Sequence, residues 1–179
     1  MKIIIMIRTQ ILSFSKIKTL FFALAFTVLS VATPMAAHYF GGAAAGRLFL
    51  PMHFFVLGAG LLLGWRAGLA VGILTPLISF SLTGMPLAAV LPFIAIELAS
   101  YGFFAGLLQE RIKNIFISLL GAMILGRMFL WLGMVILPTK IVANQYLVGV
   151  LQSGWRGIVL QIILVPMTVM VISRFLENE

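Results

Sequence analysis

Six apolar runs, separated by short breaks rich in charge, glycine or proline, organise the chain. A membrane-spanning helix needs about 20 mostly apolar residues, or roughly 17 at the short end. Runs of that kind fall at about 20–37, 49–64, 67–82, 87–108, 115–137 and 157–175. Arg66 interrupts the second and third, and Thr83-Gly84-Met85-Pro86 marks a turn after the third. The most polar segment, Gln109-Glu110-Arg111-Ile112-Lys113-Asn114, comes after the fourth. Pro138 opens a loop with Lys140, Asn144 and Gln145 before the sixth. The pattern predicts an all-α integral membrane protein with six transmembrane helices over 20–176. Residues 1–19 form a preceding cytoplasmic or interfacial segment.

Composition narrows the class further. Hydrophobic residues make up 63% of the 179 and charged ones 9%, against about 25% charged in a soluble domain. So few charges cannot coat a soluble globule, and intrinsic disorder needs the opposite balance. The absence of cysteine excludes disulfide frameworks, thiolate metal sites and cysteine nucleophiles. The formal net charge of +8 is spread between apolar runs rather than gathered on one soluble face, which argues against nucleic acid and for the positive-inside bias of membrane proteins. With the first helix starting inside, the inner segments carry Lys2, Arg8, Lys16, Lys18, Arg66, Arg111, Lys113 and Arg174, and the outer ones Arg47, Lys140 and Arg156. Both termini are therefore expected in the cytoplasm. A competing reading, a cleaved signal peptide over 16–37, has Pro34 and Met35 where small residues belong, and removing it would break the charge alternation.

Small residues and prolines bear on packing. Gly60, Gly64, Gly68 and Gly72 recur every fourth position, and Gly102 and Gly106 repeat the spacing. Small side chains let membrane helices approach closely where lipid supplies no hydrophobic drive, so a tight hairpin is expected. Ala23 and Thr27 form a small-residue stripe on the first helix, which either packs internally or docks another subunit. Pro76, Pro92 and Pro166 lie within the runs, consistent with ordinary kinks or with a polar cavity that satisfies freed backbone groups.

Two ionisable residues stand in the middle of apolar runs, Glu97 and Arg127. A charge at mid-membrane costs about 2.5–3.5 kcal/mol on insertion scales and usually faces the bundle interior. Two readings remain open. The pair is a buried salt bridge that fixes helix register, or it is the floor of a solute cavity whose guanidinium holds a carboxylate or phosphate. Trp131 lies one helical turn after Arg127 and Phe93 one turn before Glu97, an aromatic wall above a charged floor. His53, Ser79, Thr83, Asn144, Gln145 and Gln161 supply further polar candidates toward the outer half.

Catalytic chemistry finds no foothold. There is no Asp, and His38 and His53 are the two histidines. No H-E-x-x-H, G-x-S-x-G, P-loop or dinucleotide fingerprint is present. A metal site would need His38, His53 and Glu97, which their expected depths set apart. The chain is expected to be no enzyme and to carry no cofactor; ATP-driven work would need an ATPase on another chain.

The residues resemble the substrate-binding S components of energy-coupling factor (ECF) transporters over about 20–173. Leu50-Pro51-Met52-His53 with Leu57-Gly58-Ala59-Gly60 is similar to the family's second helix, and Gly68, Gly72, Pro76, Ser79 and Thr83-Gly84-Met85-Pro86 are similar to its continuation. Glu97-Leu98-Ala99-Ser100-Tyr101-Gly102 and Gly126-Arg127 resemble the fourth- and fifth-helix motifs. The resemblance implies a multi-pass protein of a prokaryotic plasma membrane that captures a vitamin-like solute from outside. It also implies a transmembrane coupling subunit and two ATPase subunits as partners. The family's Ala-x-x-x-Ala docking pattern is not matched, and Ala23 with Thr27 is the nearest counterpart. Arg127 favours an acidic, pantothenate-like solute. The competing classes are a structural or assembly protein whose Glu97 and Arg127 lock helices, and a membrane-embedded enzyme.

The charge distribution sets a topology test. Single cysteines at Asn114 and Asn144, in a chain with none of its own, should be shielded and accessible, respectively, to an impermeant thiol reagent added to intact cells. The reverse labelling would invert the orientation.

Overall fold

In the computed structural model, residues 11, 12, 15–49 and 51–177 are described; the side chains at 38, 40–49, 51, 176 and 177, and the expected interfacial stretch 1–10, lie outside that description. Among the described residues six helices succeed one another: α1 Lys16–Phe49, α2 Pro51–Leu63, α3 Trp65–Thr83, α4 Leu91–Ile112, α5 Ile115–Ile136 and α6 Ala143–Glu177. All but α2 contain a stretch long and apolar enough to cross a membrane. The outer surface is apolar too, with Leu24, Val28, Ile124, Met128 and Ile163 each about half exposed or more. In water such a surface would drive association; in a bilayer it is the lipid-facing side. The protein is an all-α, multi-pass membrane protein.

Beyond a four-residue shift of α4, which runs Leu91–Ile112 rather than over about 87–108 and takes in Gln109–Ile112 of the polar break, three boundaries differ from the hydropathy reading. α1 runs well past residue 37, and α6 begins at Ala143 rather than near 157, inside what reads as a loop. Hydropathy reports where a membrane ends, not where a helix does. Nothing at 38–49 stops α1, and Ala43-Ala44-Ala45 favours its continuation. The third difference is α2. Its 13 residues span about 20 Å, short of a hydrocarbon core about 30 Å thick, so six helices do not amount to six plain spans. Pro51 opens α2, where a missing N–H costs nothing, and Gly64 closes it with φ of 87°, a conformation glycine adopts without steric cost.

α2 sits at the centre. Val56, Leu57, Ala59, Leu61 and Leu62 are all buried, as expected of a helix that is apolar all round. The α2–α3 and α4–α5 junctions meet at one end, the base. There Glu110 Oε1 accepts from Trp65 N at 3.3 Å, a carboxylate on a helix N-terminus. Asn114 caps α5 through Phe116 N and Ile117 N. The segment before α1 reaches the base as well, where Leu12 N donates to Leu62 O at 3.0 Å and the Leu12 side chain joins the core. The opposite end, the mouth, holds the α3–α4 turn, where Gly84 ends α3 in the left-handed region, and the α5–α6 connection.

The glycine ladder joins three helices rather than two. A Cβ on Gly68 would collide with the Gly102 carbonyl and with Gly60 Cα; one on Gly72 would strike the Leu98 carbonyl, and one on Gly106 the Gly64–Trp65 backbone. Backbones of α2, α3 and α4 thus touch directly. Ala23 is half-buried against the core and Thr27 is buried, its hydroxyl donating to the Ala23 carbonyl at 2.9 Å. Of the two readings of this stripe, internal packing fits these contacts with the chain's own bundle. Pro92 lies in the first turn of α4, a position that needs no kink, whereas Pro76 and Pro166 lie inside helices.

Gly68→Ala and Gly102→Ala should each lower stability by about 1–3 kcal/mol, the usual cost of overpacking, seen as a lower melting temperature in detergent. Gly149→Ala, where an added Cβ meets nothing within 4 Å, should not lower stability and should raise it by up to about 1 kcal/mol, the helix-interior cost of glycine.

Candidate functional site

Glu97 lies one helical turn before Tyr101 on α4, so both side chains leave the same face. That face meets the first turn of α2, which carries His53, and the middle of α5, which carries Arg127. The Glu97 side chain is buried, 3% exposed. Arg127 Nη1 stands 2.6 Å from Glu97 Oε1, and His53 Nε2 stands 3.6 Å from the same oxygen. The Tyr101 hydroxyl hydrogen-bonds to the carboxylate. The Tyr101 ring meets the His53 ring edge-on at 5.3 Å and lies 5.9 Å from the Arg127 guanidinium. A single carboxylate therefore holds groups from three helices.

Gly126 makes this possible. A Cβ there would run into the Tyr101 ring, so the aromatic nests against bare α5 backbone beside Arg127. The pairing of Glu97 with Arg127 is legible in the sequence. The sequence reading sets His53 apart from Glu97 in depth, and the short α2 corrects this by bringing it alongside. Tyr101 is a site residue that the sequence reading misses, although its spacing from Glu97 is the signal that could have shown it. His53 and Glu97 do not extend to a metal site, and no cluster of three metal-ligating side chains occurs among the described residues.

Several polar atoms in the cluster are incompletely satisfied. Both ring nitrogens of His53, Glu97 Oε1 and Arg127 Nη1 are buried without a hydrogen bond of good geometry. The ion pair is close but poorly aligned. Buried polar groups normally find such bonds, so the cluster has capacity for a further polar group.

Arg127 also faces the other way. Between α5 and α6 runs a cleft of about 520 Å³ that opens on the lipid-facing surface at Ile124 and Met128, and Arg127 is its one charged lining residue among the described residues. Leu, Ile and Met side chains form its walls, among them Leu120, Ile124, Ile158 and Ile162. Trp131 lines it nearer the mouth, and its Nε1 donates to Asn144 Oδ1 at 2.7 Å, tying α5 to the start of α6. The guanidinium thus touches a carboxylate on one side and an apolar trough on the other.

The remaining candidates are dispersed. Phe93, expected in the aromatic wall, is buried with Leu130 and Met134 in a small second core at the mouth. Thr83 is exposed, and its hydroxyl serves the end of α3, donating to the Ser79 carbonyl at 2.7 Å and accepting from Met85 N at 3.1 Å. Ser79 and Gln161 are buried, and Asn144 and Gln145 exposed. No family model, curated protein or solved structure matches the chain.

The cluster predicts a thermodynamic cycle. Arg127→Met strands the Glu97 carboxylate, and removing one member of a buried pair costs about 3–5 kcal/mol. Adding Glu97→Gln should recover most of that loss, measured by chemical or thermal unfolding in detergent. A double variant no more stable than Arg127→Met would show that the two side chains are not coupled.

Proposed function

We propose that this chain is the solute-capturing membrane subunit of an ECF-type importer in a prokaryotic plasma membrane. In this reading it takes a vitamin-like acidic solute, pantothenate-like in carrying a carboxylate, from the outer side. A coupling subunit and two ATPases supply the energy, and the chain itself catalyses no reaction. Its sequence resemblance to S components motivates the family. The observation that carries the site is the double-facing Arg127, which pairs with Glu97 and lines the cleft.

Arginine suits this task. Its guanidinium carries five N–H donors in a fixed fork, so one edge can stay on Glu97 while the other meets a solute carboxylate. The apolar walls exclude water and strengthen that contact. Trp131 bounds the mouth end of the cleft one turn above Arg127. The structural alternative, a helix lock, has its own support in the 2.6 Å ion pair.

The two readings separate in one protein. Mass spectrometry of small molecules retained by the purified chain identifies the solute. The Arg127→Met, Glu97→Gln protein should then fold but bind that solute about 10- to 150-fold more weakly by calorimetry, from charge-assisted hydrogen bonds worth about 1.5–3 kcal/mol. Wild-type affinity would reduce the pair to a lock.

A further inference from the structure

A bound anion would upset the charge balance of this cluster. Glu97 and Arg127 cancel one another, and a neutral His53 adds nothing. A carboxylate brought to Arg127 from the cleft leaves one uncompensated negative charge inside an apolar bundle, which is costly. The cluster contains a group able to cancel it. His53 is 7% exposed, both its ring nitrogens are without hydrogen-bond partners, and its Nε2 already points at Glu97 from 3.6 Å. Histidine is the side chain whose ordinary pKa, about 6.5, lies near neutrality.

The cleft adds a second constraint. From Arg127 to Leu120 it extends about 10 Å along α5 at the usual helical rise, walled by Ile124, Ile158 and Ile162 with no other charge among the described residues. A sugar phosphate or other polyol would leave its hydroxyls unsatisfied there. An acid with an unbranched apolar chain would satisfy both parts of the cleft.

We infer that the α5–α6 cleft binds an apolar monocarboxylate, its carboxylate on Arg127 and its chain toward Leu120, and that binding draws one proton from solvent onto His53. The bound cluster then holds two cations and two anions. Protonated His53 donates to Glu97, which keeps the carboxylate in place while Arg127 turns donors to the ligand. The other ionisable groups facing the cluster are Tyr101 on α4 and Tyr146 on α6, the latter within electrostatic reach of Glu97 and Arg127. Lys16, Lys18 and Arg66 of α1 and α3 are exposed and belong to the base, at the far end of α2 from His53. This inference rests on the reading of Arg127 as a solute ligand, though not on any energising complex.

The test uses the purified full chain and two acids of the same chemistry. Octanoate is added from water to protein in detergent, and oleate is supplied within lipid nanodiscs; octanamide is the neutral counterpart. Carboxylic acids titrate near about 4 in water, so octanoate's own charge stays constant above about pH 6 and the pH series uses octanoate; a bilayer raises a carboxyl's pKa, so oleate is compared at a single pH. Proton uptake makes binding tightest at low pH. Affinity should fall as pH rises across the range in which a histidine gives up its proton, by up to about tenfold per pH unit. Calorimetry in two buffers of different ionisation enthalpy should count one proton taken up per acid bound, and octanamide should bind at least about tenfold more weakly. Binding of octanoate or of oleate supports the inference and says whether the acid arrives from water or from the bilayer. In His53→Gln the acid should bind more weakly, with no pH slope. A slope that survives this change would put the proton elsewhere and overturn the His53 assignment. Flat wild-type profiles would overturn the proton link while leaving Arg127 as a ligand. Equal binding of octanamide, or no binding of either acid, would overturn the ligand class; the solute-capture reading would still stand or fall on the retained-solute mass spectrum.

Discussion

A single buried carboxylate imposes the arrangement at the centre of this bundle. In lipid, apolar surface gives helices no reason to leave the solvent, because the solvent is itself apolar. A carboxylate is different: it cannot face the acyl chains and must find compensation inside. Glu97 does so through side chains of α2, α4 and α5. Those contacts need the helices closer together than most side chains allow. The glycines at 60, 68, 72, 102 and 106 provide that approach at the backbone, and Gly126 admits the Tyr101 ring. The charge cluster and the small-residue packing are therefore one device: each would be of little use without the other.

The two ends of the bundle are built differently. At the base, charged and polar side chains finish helices: Glu110 on the start of α3 and Asn114 on the start of α5. Such caps satisfy backbone donors that nothing else in the helix can reach, and they leave short connections with little freedom. At the mouth, a small apolar cluster around Phe93, Leu130 and Met134 and the Trp131–Asn144 hydrogen bond hold α5 and α6 together. A single hydrogen bond is modest in net energy, about 0.5–1.5 kcal/mol.

How far each part of the molecule is legible in the chain depends on what each signal measures. Hydropathy locates all six helices, because burial in hydrocarbon leaves a compositional trace. It misjudges the limits of α1 and α6, whose continuations carry mixed residues that a helix tolerates and a membrane does not require. It also overestimates α2, since a central apolar helix and a spanning one have the same composition. Glu97 and Arg127 are conspicuous as ions in apolar runs. His53 joins them only once the first turn of α2 is placed in depth, which no periodicity supplies. The cleft walls are invisible for a physical reason: a leucine or isoleucine facing a ligand is indistinguishable in sequence from one facing lipid.

The shortness of α2 also has a bearing on hydrophobic mismatch. α3, α4 and α5, at 19 to 22 residues, are about 29–33 Å long and match an average bilayer, so the bilayer's thickness acts on them. α2 is buried from Val56 to Leu63, which frees its length from that requirement. His53 is consequently positioned by counting back from Gly64 at the base, not by the membrane midplane. In a thinner or thicker bilayer the outer helices can tilt to adjust, while the distance from the base to the charge cluster stays fixed by the rigid rise of about ten residues of α2.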